Sequence, residues 1–359
     1  MRYRRYRVQA STLASNLRVL GKIYDWAWQV AELDLDDYLT SGHMLSGGQL
    51  ESLVAYLRES AVTRDGQSVA PNTYNSYLST TESFLTWSLY PANRGGVTLL
   101  GLEELNGERE RLKLFFSPLR VSSNQTQRLQ PLTDEEIAQI RSAIAPYQND
   151  VKEWMFPAGA FSPQTALRNW LMFEVAYELG LRRGELLKLR LDSLPRGAEE
   201  SILVRRFPDD PHDRRAREPA VKTAERKVPA SRALLRAIRV YLTTPPPTGR
   251  AHGHSPYLFV TRDGNPLSID TAQDIIRAIG RHSDVQPLSW HRLRHTWAER
   301  VADLLLDQPN GIDVLMYLGG WSHPASAKRY FQNALSRQAT DLLRQYQANL
   351  YASEEEVKS

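Results

Sequence analysis

The run His291-Arg292-Leu293-Arg294-His295-Thr296 packs two imidazoles and two guanidinium groups around a single leucine. It reads as the start of a helix. A spacing of three puts His291 and Arg294 on one face, while Leu293 and Trp297 share the face that is buried. Two histidines at i and i+4 also fit one side of a metal site. No nearby carboxylate completes the ligand set, so a metal is not expected.

Four further patterns flank this run. On its N-terminal side, Gly180-Leu181-Arg182-Arg183-Gly184-Glu185-Leu186 sets Arg182 at a helix junction, three residues before Glu185. By itself that is an ordinary surface ion pair. Val221-Lys222-Thr223 precedes the basic strand Glu225-Arg226-Lys227-Val228-Pro229, and alone Lys222 reads as a solvated hairpin lysine. On the C-terminal side, Trp321 follows two glycines, the usual setting of a core plug. Tyr330 comes nine residues later within Lys328-Arg329-Tyr330-Phe331, and it is one of 16 tyrosines.

Taken together, the set suits one task. Two arginines, a lysine, a histidine, a tryptophan donor and a tyrosine, with no cysteine and no carboxylate cluster, fit metal-free attack on a phosphodiester. Negative charge grows on the non-bridging oxygens in that transition state, and fixed guanidinium groups stabilise it through paired hydrogen bonds. The leaving 5′ oxygen needs a proton, which Lys222 would supply. The attacking phenol must lose one from a reference pKa of ~10, helped by nearby cations and His291.

The ordered series Arg182 with Glu185, Lys222, His291-x-x-Arg294, Trp321 and Tyr330 resembles the tyrosine recombinases, or phage-type integrases. The runs Gly180–Arg182 and Leu293–Thr296 carry most of that resemblance, which spans residues ~130–350. It implies that Arg182, His291 and Arg294 hold the scissile phosphate, that Lys222 is the general acid, and that Tyr330 forms a 3′-phosphotyrosyl link. Glu185 and His295 would be supports. Trp321 would take the family's fifth position. Counting from Leu318-Gly319 puts Gly320 there instead, and His323 lies only seven residues before Tyr330; the nine-residue spacing selects Trp321. The stretch from Arg182 to Lys222 is long, as if Asp209–Arg217 were inserted, and Lys227 is the alternative lysine.

The expected fold is mainly α with a small antiparallel sheet. A helical region comes first, with Leu13, Leu17, Leu20, Tyr24 and Trp28 at helical spacing over Ser11–Ala31. A second pattern spans Gln49–Arg58 on Leu50, Leu53, Val54 and Leu57, a third follows Pro71, and a fourth covers Leu102–Phe116. The polar stretch Ser122–Arg128 reads as a linker. We expect domains at 1–121 and 131–359, joined through 122–130. Thr133 and Glu136 have capping-box spacing for the first helix of the second domain. Its further elements are a helix on Leu167, Trp170, Leu171, Val175 and Leu179 stopped by Gly180, strands at Ser201–Phe207, Arg226–Pro229 and Tyr257–Val260, and a helix capped by Asp270 with Gln273. By the resemblance, the two domains are a core-binding domain and a catalytic domain forming a clamp on DNA. The first helix begins within about a dozen residues of Met1, so no extra arm-binding domain is expected before it.

The net charge is only +4, but residues 201–250 carry twelve Lys/Arg against five Asp/Glu, and the first seven residues carry four arginines. Such local excess attracts a phosphate backbone. With no cysteine, disulfides and thiolate chemistry are excluded. No membrane span or signal peptide is legible, so a cytoplasmic, nucleoid-associated protein is expected. No cofactor and no metal are expected. The implied partner is double-stranded DNA with a specific recombination site, bound by a homotetramer working through a Holliday junction. The segment Leu335–Tyr351, with Leu342, Leu343 and Tyr346 at helical spacing, would dock either on a neighbouring subunit or on its own domain. The competing readings are a type IB topoisomerase and a sequence-specific DNA-binding protein that does not cleave.

Overall fold

The structure is a computed structural model, described here for residues 10–59, 70–90, 101–121, 130–148, 154–157, 161, 163–197, 199–207, 210, 213–215, 217–219, 221, 223–243 and 255–355. The chain divides into two compact units, 1–128 and 129–359. The expected linker at 122–130 lies outside the described residues except for Gln130.

The first unit is helical: α1 (Ala10–Gln29), α2 (Leu35–Thr40), α3 (Gly47–Glu59), α4 (Pro71–Ser88) and α5 (Leu102–Phe116). Leu50, Leu53, Val54 and Leu57 form the buried stripe of α3, as their spacing predicts. Asp34 caps α2 by accepting from the Asp37 N–H at 3.0 Å. In α1 the expected face is wrong. Val19, Ile23, Trp26 and Ala27 are buried, whereas Leu17, Tyr24 and Trp28 are exposed, Trp28 by 78%. Two apolar lines run along this helix, and only packing against α3 and α4 selects between them. Arg120 and Val121 fold back on α4 through Ser79, Glu82 and Asn75.

The second unit is built around α7 (Pro163–Leu179), which is buried on most sides by Leu171, Met172, Phe173, Val175, Ala176 and Leu179. Before it come α6 (Asp134–Ile144) and the small antiparallel pair β1 (Tyr147–Gln148) and β2 (Trp154–Met155). The α6 capping box is formed as expected: Thr133 Oγ1 accepts from the Glu136 N–H, and Glu136 accepts from the Thr133 N–H. After α7 follow α8 (Arg183–Leu187), β3 (Ser201–Val204), β4 (Arg226–Pro229), α9 (Arg232–Thr243), α10 (Ile269–His282), α11 (Trp290–Leu305), α12 (Gly311–Gly319) and α13 (Pro324–Glu355). β3 and β4 pair antiparallel, Ser201 opposite Pro229 and Val204 opposite Arg226. The fold is thus mainly α with little sheet.

Two local expectations are corrected. Residues 257–260 make only isolated bridges, Arg190 to Tyr257 and Val260 to Pro266, because their backbone groups bond to loops at Leu189 and Leu267 rather than to a strand. The cap of α10 is Ser268, whose hydroxyl accepts from the Thr271 N–H at 2.9 Å. Asp270 sits inside the first turn, where its charge faces the positive end of the helix dipole. Leu342, Leu343 and Tyr346 on α13 are exposed, so they are not packed on their own unit. Among the described residues no helix is long and apolar enough to cross a membrane.

Gly180 ends α7 at φ +60°, a conformation that L side chains avoid. It is also the point where α11 crosses: a Cβ here would lie 2.1 Å from the Trp297 indole. Gly180→Ala should therefore cost about 2–4 kcal/mol, from αL strain plus overpacking. A drop in the urea unfolding midpoint checks this, and an unchanged midpoint would refute the reading of Gly180 as a close-approach residue.

Candidate active site

Glu185 organises this region. It sits at the third position of α8, so its Oε2 reaches back to accept from the Arg182 N–H at 2.8 Å. That bond fixes the backbone from which the Arg182 side chain departs. Glu185 is buried and also accepts two bonds from Arg226, at 2.9 and 3.2 Å, and one from the Thr223 hydroxyl. Arg294 Nη1 lies 3.7 Å from the same carboxylate. Burial alone would raise the Glu185 pKa. Arg226, Arg294 and Thr223 together outweigh that and hold it below the usual carboxylate value.

Arg226 is a site residue that the sequence reading missed. Strand β4 alternates, with Arg226 and Val228 inward and Lys227 outward. Besides Glu185, Arg226 donates through Nε to the Leu318 carbonyl at 2.7 Å. It therefore ties β4 to the end of α12. Gly320, in αL conformation at φ +63°, closes α12 against it, and a Cβ there would lie 2.6 Å from Arg226 Nη1. Lys227 points to the opposite side and pairs with Glu199 at an exposed 2.6 Å contact. That makes it a poor substitute for Lys222, which lies outside the described residues.

Arg182 and Arg294 converge. Arg294 is buried on α11, donating to the Gly180 carbonyl at 2.7 Å and the Gly319 carbonyl at 2.5 Å. Arg182 Nη1 reaches the same Gly319 carbonyl at 3.4 Å. Two like charges sharing one neutral acceptor repel. Burial lowers the pKa of both; the Arg182 charge adds to this at Arg294 and the Arg226 charge at both, with Glu185 opposing. Both remain cations at neutral pH. Trp321 lies across Arg294, with the guanidinium 4.6 Å from its ring centroid, and its own ring is 5.5 Å from that of Tyr330.

Tyr330 is 1% exposed. It belongs to a small apolar cluster with Trp297, Ala298, Ala302, Leu315, Ala327 and Ala334, in which α13 packs on α11 and α12. Arg337 fastens the same helix to α11 through Glu299 and Asp303, each at 2.7 Å. The Tyr330 hydroxyl accepts from Arg329 Nη2 at 2.6 Å. The His295 ring meets the Tyr330 ring edge-on at 5.1 Å, and His291 meets His295 at 5.3 Å. Burial, followed by the charges of Arg329 and its neighbours, lowers the pKa of His291, and pushes His295 down to about 4. Both imidazoles are therefore neutral at pH 7. Among the described residues, His295 Nδ1 is buried without a hydrogen-bond partner.

The structure thus brings Arg182, Glu185, His291, Arg294, His295, Trp321 and Tyr330 into one continuous contact network, with Arg226 and Arg329 added to it. His323 is exposed and, among the described residues, makes no side-chain hydrogen bond with that network. Among the described residues no group of three or more His, Asp or Glu side chains is placed to hold a metal ion. Such an assembly of fixed cations beside a phenol can bind a phosphodiester and present an oxygen nucleophile to it.

Residues 132–337 match the family model described as the phage integrase family. Among curated proteins, the chain is 27% identical over 171 residues to the tyrosine recombinase XerC of Alcanivorax borkumensis, covering 47% of this chain. The match takes in 49%, about half, of that relative's length. Among solved structures, it is similar to the XerA recombinase, at 16% identity and a TM-score of 0.42, covering 94% of this chain and 93% of that one. It is also similar to the XerH recombinase bound to a palindromic difH substrate, at 14% identity and a TM-score of 0.46, covering 94% and 97%.

Proposed function

Because the chain belongs to the phage integrase family, we propose that it is a site-specific DNA recombinase that cuts and rejoins strands through a 3′-phosphotyrosyl intermediate on Tyr330. The observation that carries this reading is the sharing of the Gly319 carbonyl by Arg182 and Arg294, beside Trp321 and Tyr330. A phosphate oxygen offers both guanidinium groups a stronger acceptor than a carbonyl, and it relieves their mutual repulsion.

In the proposed reaction, Arg182 and Arg294 bind the non-bridging oxygens, with the Trp321 indole N–H as a further donor. The Tyr330 oxygen attacks phosphorus, forming the O–P bond as the bond to the 5′ oxygen breaks. The phenolic proton passes to neutral His291, and Lys222 returns a proton to the 5′ oxygen. The phosphotyrosyl bond keeps the energy of the broken bond, so the reverse attack by a 5′ hydroxyl religates DNA without a cofactor. Glu185 positions three of the arginines and reacts with nothing.

The first unit serves as the core-binding domain and the second as the catalytic domain on double-stranded DNA, with 122–130 as the linker. The working assembly is a homotetramer resolving a Holliday junction. Support for a multisubunit assembly is the exposed stripe of Leu335, Leu342, Leu343, Tyr346 and Leu350 on α13, which suits docking on a second copy.

The test is a library of nicked duplexes tiling the source genome, incubated with the protein in chelator and then denatured. DNA should be recovered covalently joined to protein at a small set of related sites. Recovery of none sinks the recombinase reading and leaves a non-cleaving binder. Relaxation of arbitrary supercoiled plasmid at substoichiometric protein would mean a topoisomerase instead.

A further inference from the structure

Arg329 has no part in the proposed chemistry, yet among the described residues it is the only side chain that hydrogen-bonds the Tyr330 hydroxyl. Its guanidinium carbon lies 4.6 Å from the Tyr330 ring centroid, so the cation covers the aromatic face as well as the oxygen. The same Nη2 lies 3.4 Å from His295 Nε2. No carboxylate among the described residues pairs with it, whereas Arg226 and Arg294 have Glu185, Arg292 has Glu136 and Arg337 has Glu299. A structural arginine is normally neutralised. This one contacts His295 and Tyr330, and it acts on His291 as a positive charge together with Arg182 and Arg294. With five N–H donors on a guanidinium and only one nitrogen used on Tyr330 and His295, the rest are available to an incoming anion.

We infer that Arg329 is a further catalytic residue, holding the Tyr330 oxygen through Nη2 and stabilising the negative charge that develops there while its remaining N–H groups meet the scissile phosphate. The inference rests on the reading of Tyr330 as nucleophile. Arg329 stays protonated throughout: the phenolic proton goes to His291, the O–P bond forms, and the bond to the 5′ oxygen breaks with its proton from the general acid. A donor on the attacking oxygen helps because it favours the charged form of the phenol over the neutral one. It also orients the lone pairs of an otherwise freely rotating hydroxyl.

Arg329 is exposed, so its substitution should leave the fold intact, which a thermal melt checks. On a nicked duplex selected from the genomic library, Arg329→Ala should form adduct about 10²-fold more slowly at saturating DNA. Arg329→Lys should recover part of the rate and Arg329→Gln less, because the charge matters more than the donor. The deficit should persist on a duplex whose 5′-bridging oxygen is replaced by sulfur, a leaving group that needs no general acid. Wild-type rates in Arg329→Ala, or a deficit abolished by the sulfur substrate, would overturn the inference. An adduct formed equally by Tyr330→Phe would instead overturn the nucleophile assignment.

Discussion

Tyr330→Phe should retain DNA binding and lose covalent adduct formation by about 10⁴-fold or more. The substitution removes one oxygen from a packed position. The ring keeps its contacts with Trp321, His295 and the alanines of α11 and α13, so the fold loses one hydrogen bond, from Arg329, worth about 1–3 kcal/mol. No neighbouring side chain can replace the phenol. His291 and His295 are bases rather than persistent phosphate carriers, and among the described residues of the contact network there is no other hydroxyl beside Trp321. Gel-shift affinity and denaturing-gel adduct yield, measured on the same duplex, separate binding from chemistry. Adduct in the variant would move the nucleophile elsewhere; loss of both signals would mark Tyr330 as a packing residue.

Glu185→Gln should be the most destabilising polar change in the second unit. The glutamine keeps the shape and one acceptor oxygen, yet it strips the negative charge from between Arg226 and Arg294, which are both buried. Leaving buried cations uncompensated costs about 3–5 kcal/mol. The urea midpoint reports it directly. Because the folded carboxylate titrates below its unfolded value of ~4.3, its stabilisation is present above that pH and fades as pH falls through the folded value. The variant should lose that part of the acid dependence. It should also lose cleavage more than DNA affinity, since Arg182 departs from the backbone that Glu185 fixes. A midpoint within 1 kcal/mol of wild type would mean that the arginines are held by the Gly180, Leu318 and Gly319 carbonyls alone.

Much of this was legible in the sequence, for identifiable reasons. Helix α3 announced its face because only one apolar stripe runs along it. Helix α1 did not, because Leu17, Tyr24 and Trp28 offer a second stripe as good as Val19, Ile23 and Trp26. The Thr133 and Gly180 boundaries were readable since each depends on chemistry local to a few residues. Arg226 was readable in principle: on a strand of period two it shares the side of Val228, whose burial turns it inward, away from Lys227. The weight of Glu185 was not, because its partners come from residues 223, 226 and 294, distant in the chain. Nor was the position of Arg329 over the phenol, which depends on α13 resting against α11.

Part of that resting surface is made of methyl groups, set beside the larger Trp297, Leu315 and Tyr330 side chains. Ala327 and Ala334 lie three residues before and four after Tyr330, facing Ala298 and Ala302 across the helix pair. Small side chains make shallow ridges, which let α13 approach α11 closely at these positions. Each methyl that leaves its neighbours forfeits only about 0.8 kcal/mol. The helix that carries Tyr330 is therefore held to α11 by contacts worth little each at the alanines, and its polar clamp is Arg337 on Glu299 and Asp303 with Asn333 on Glu299.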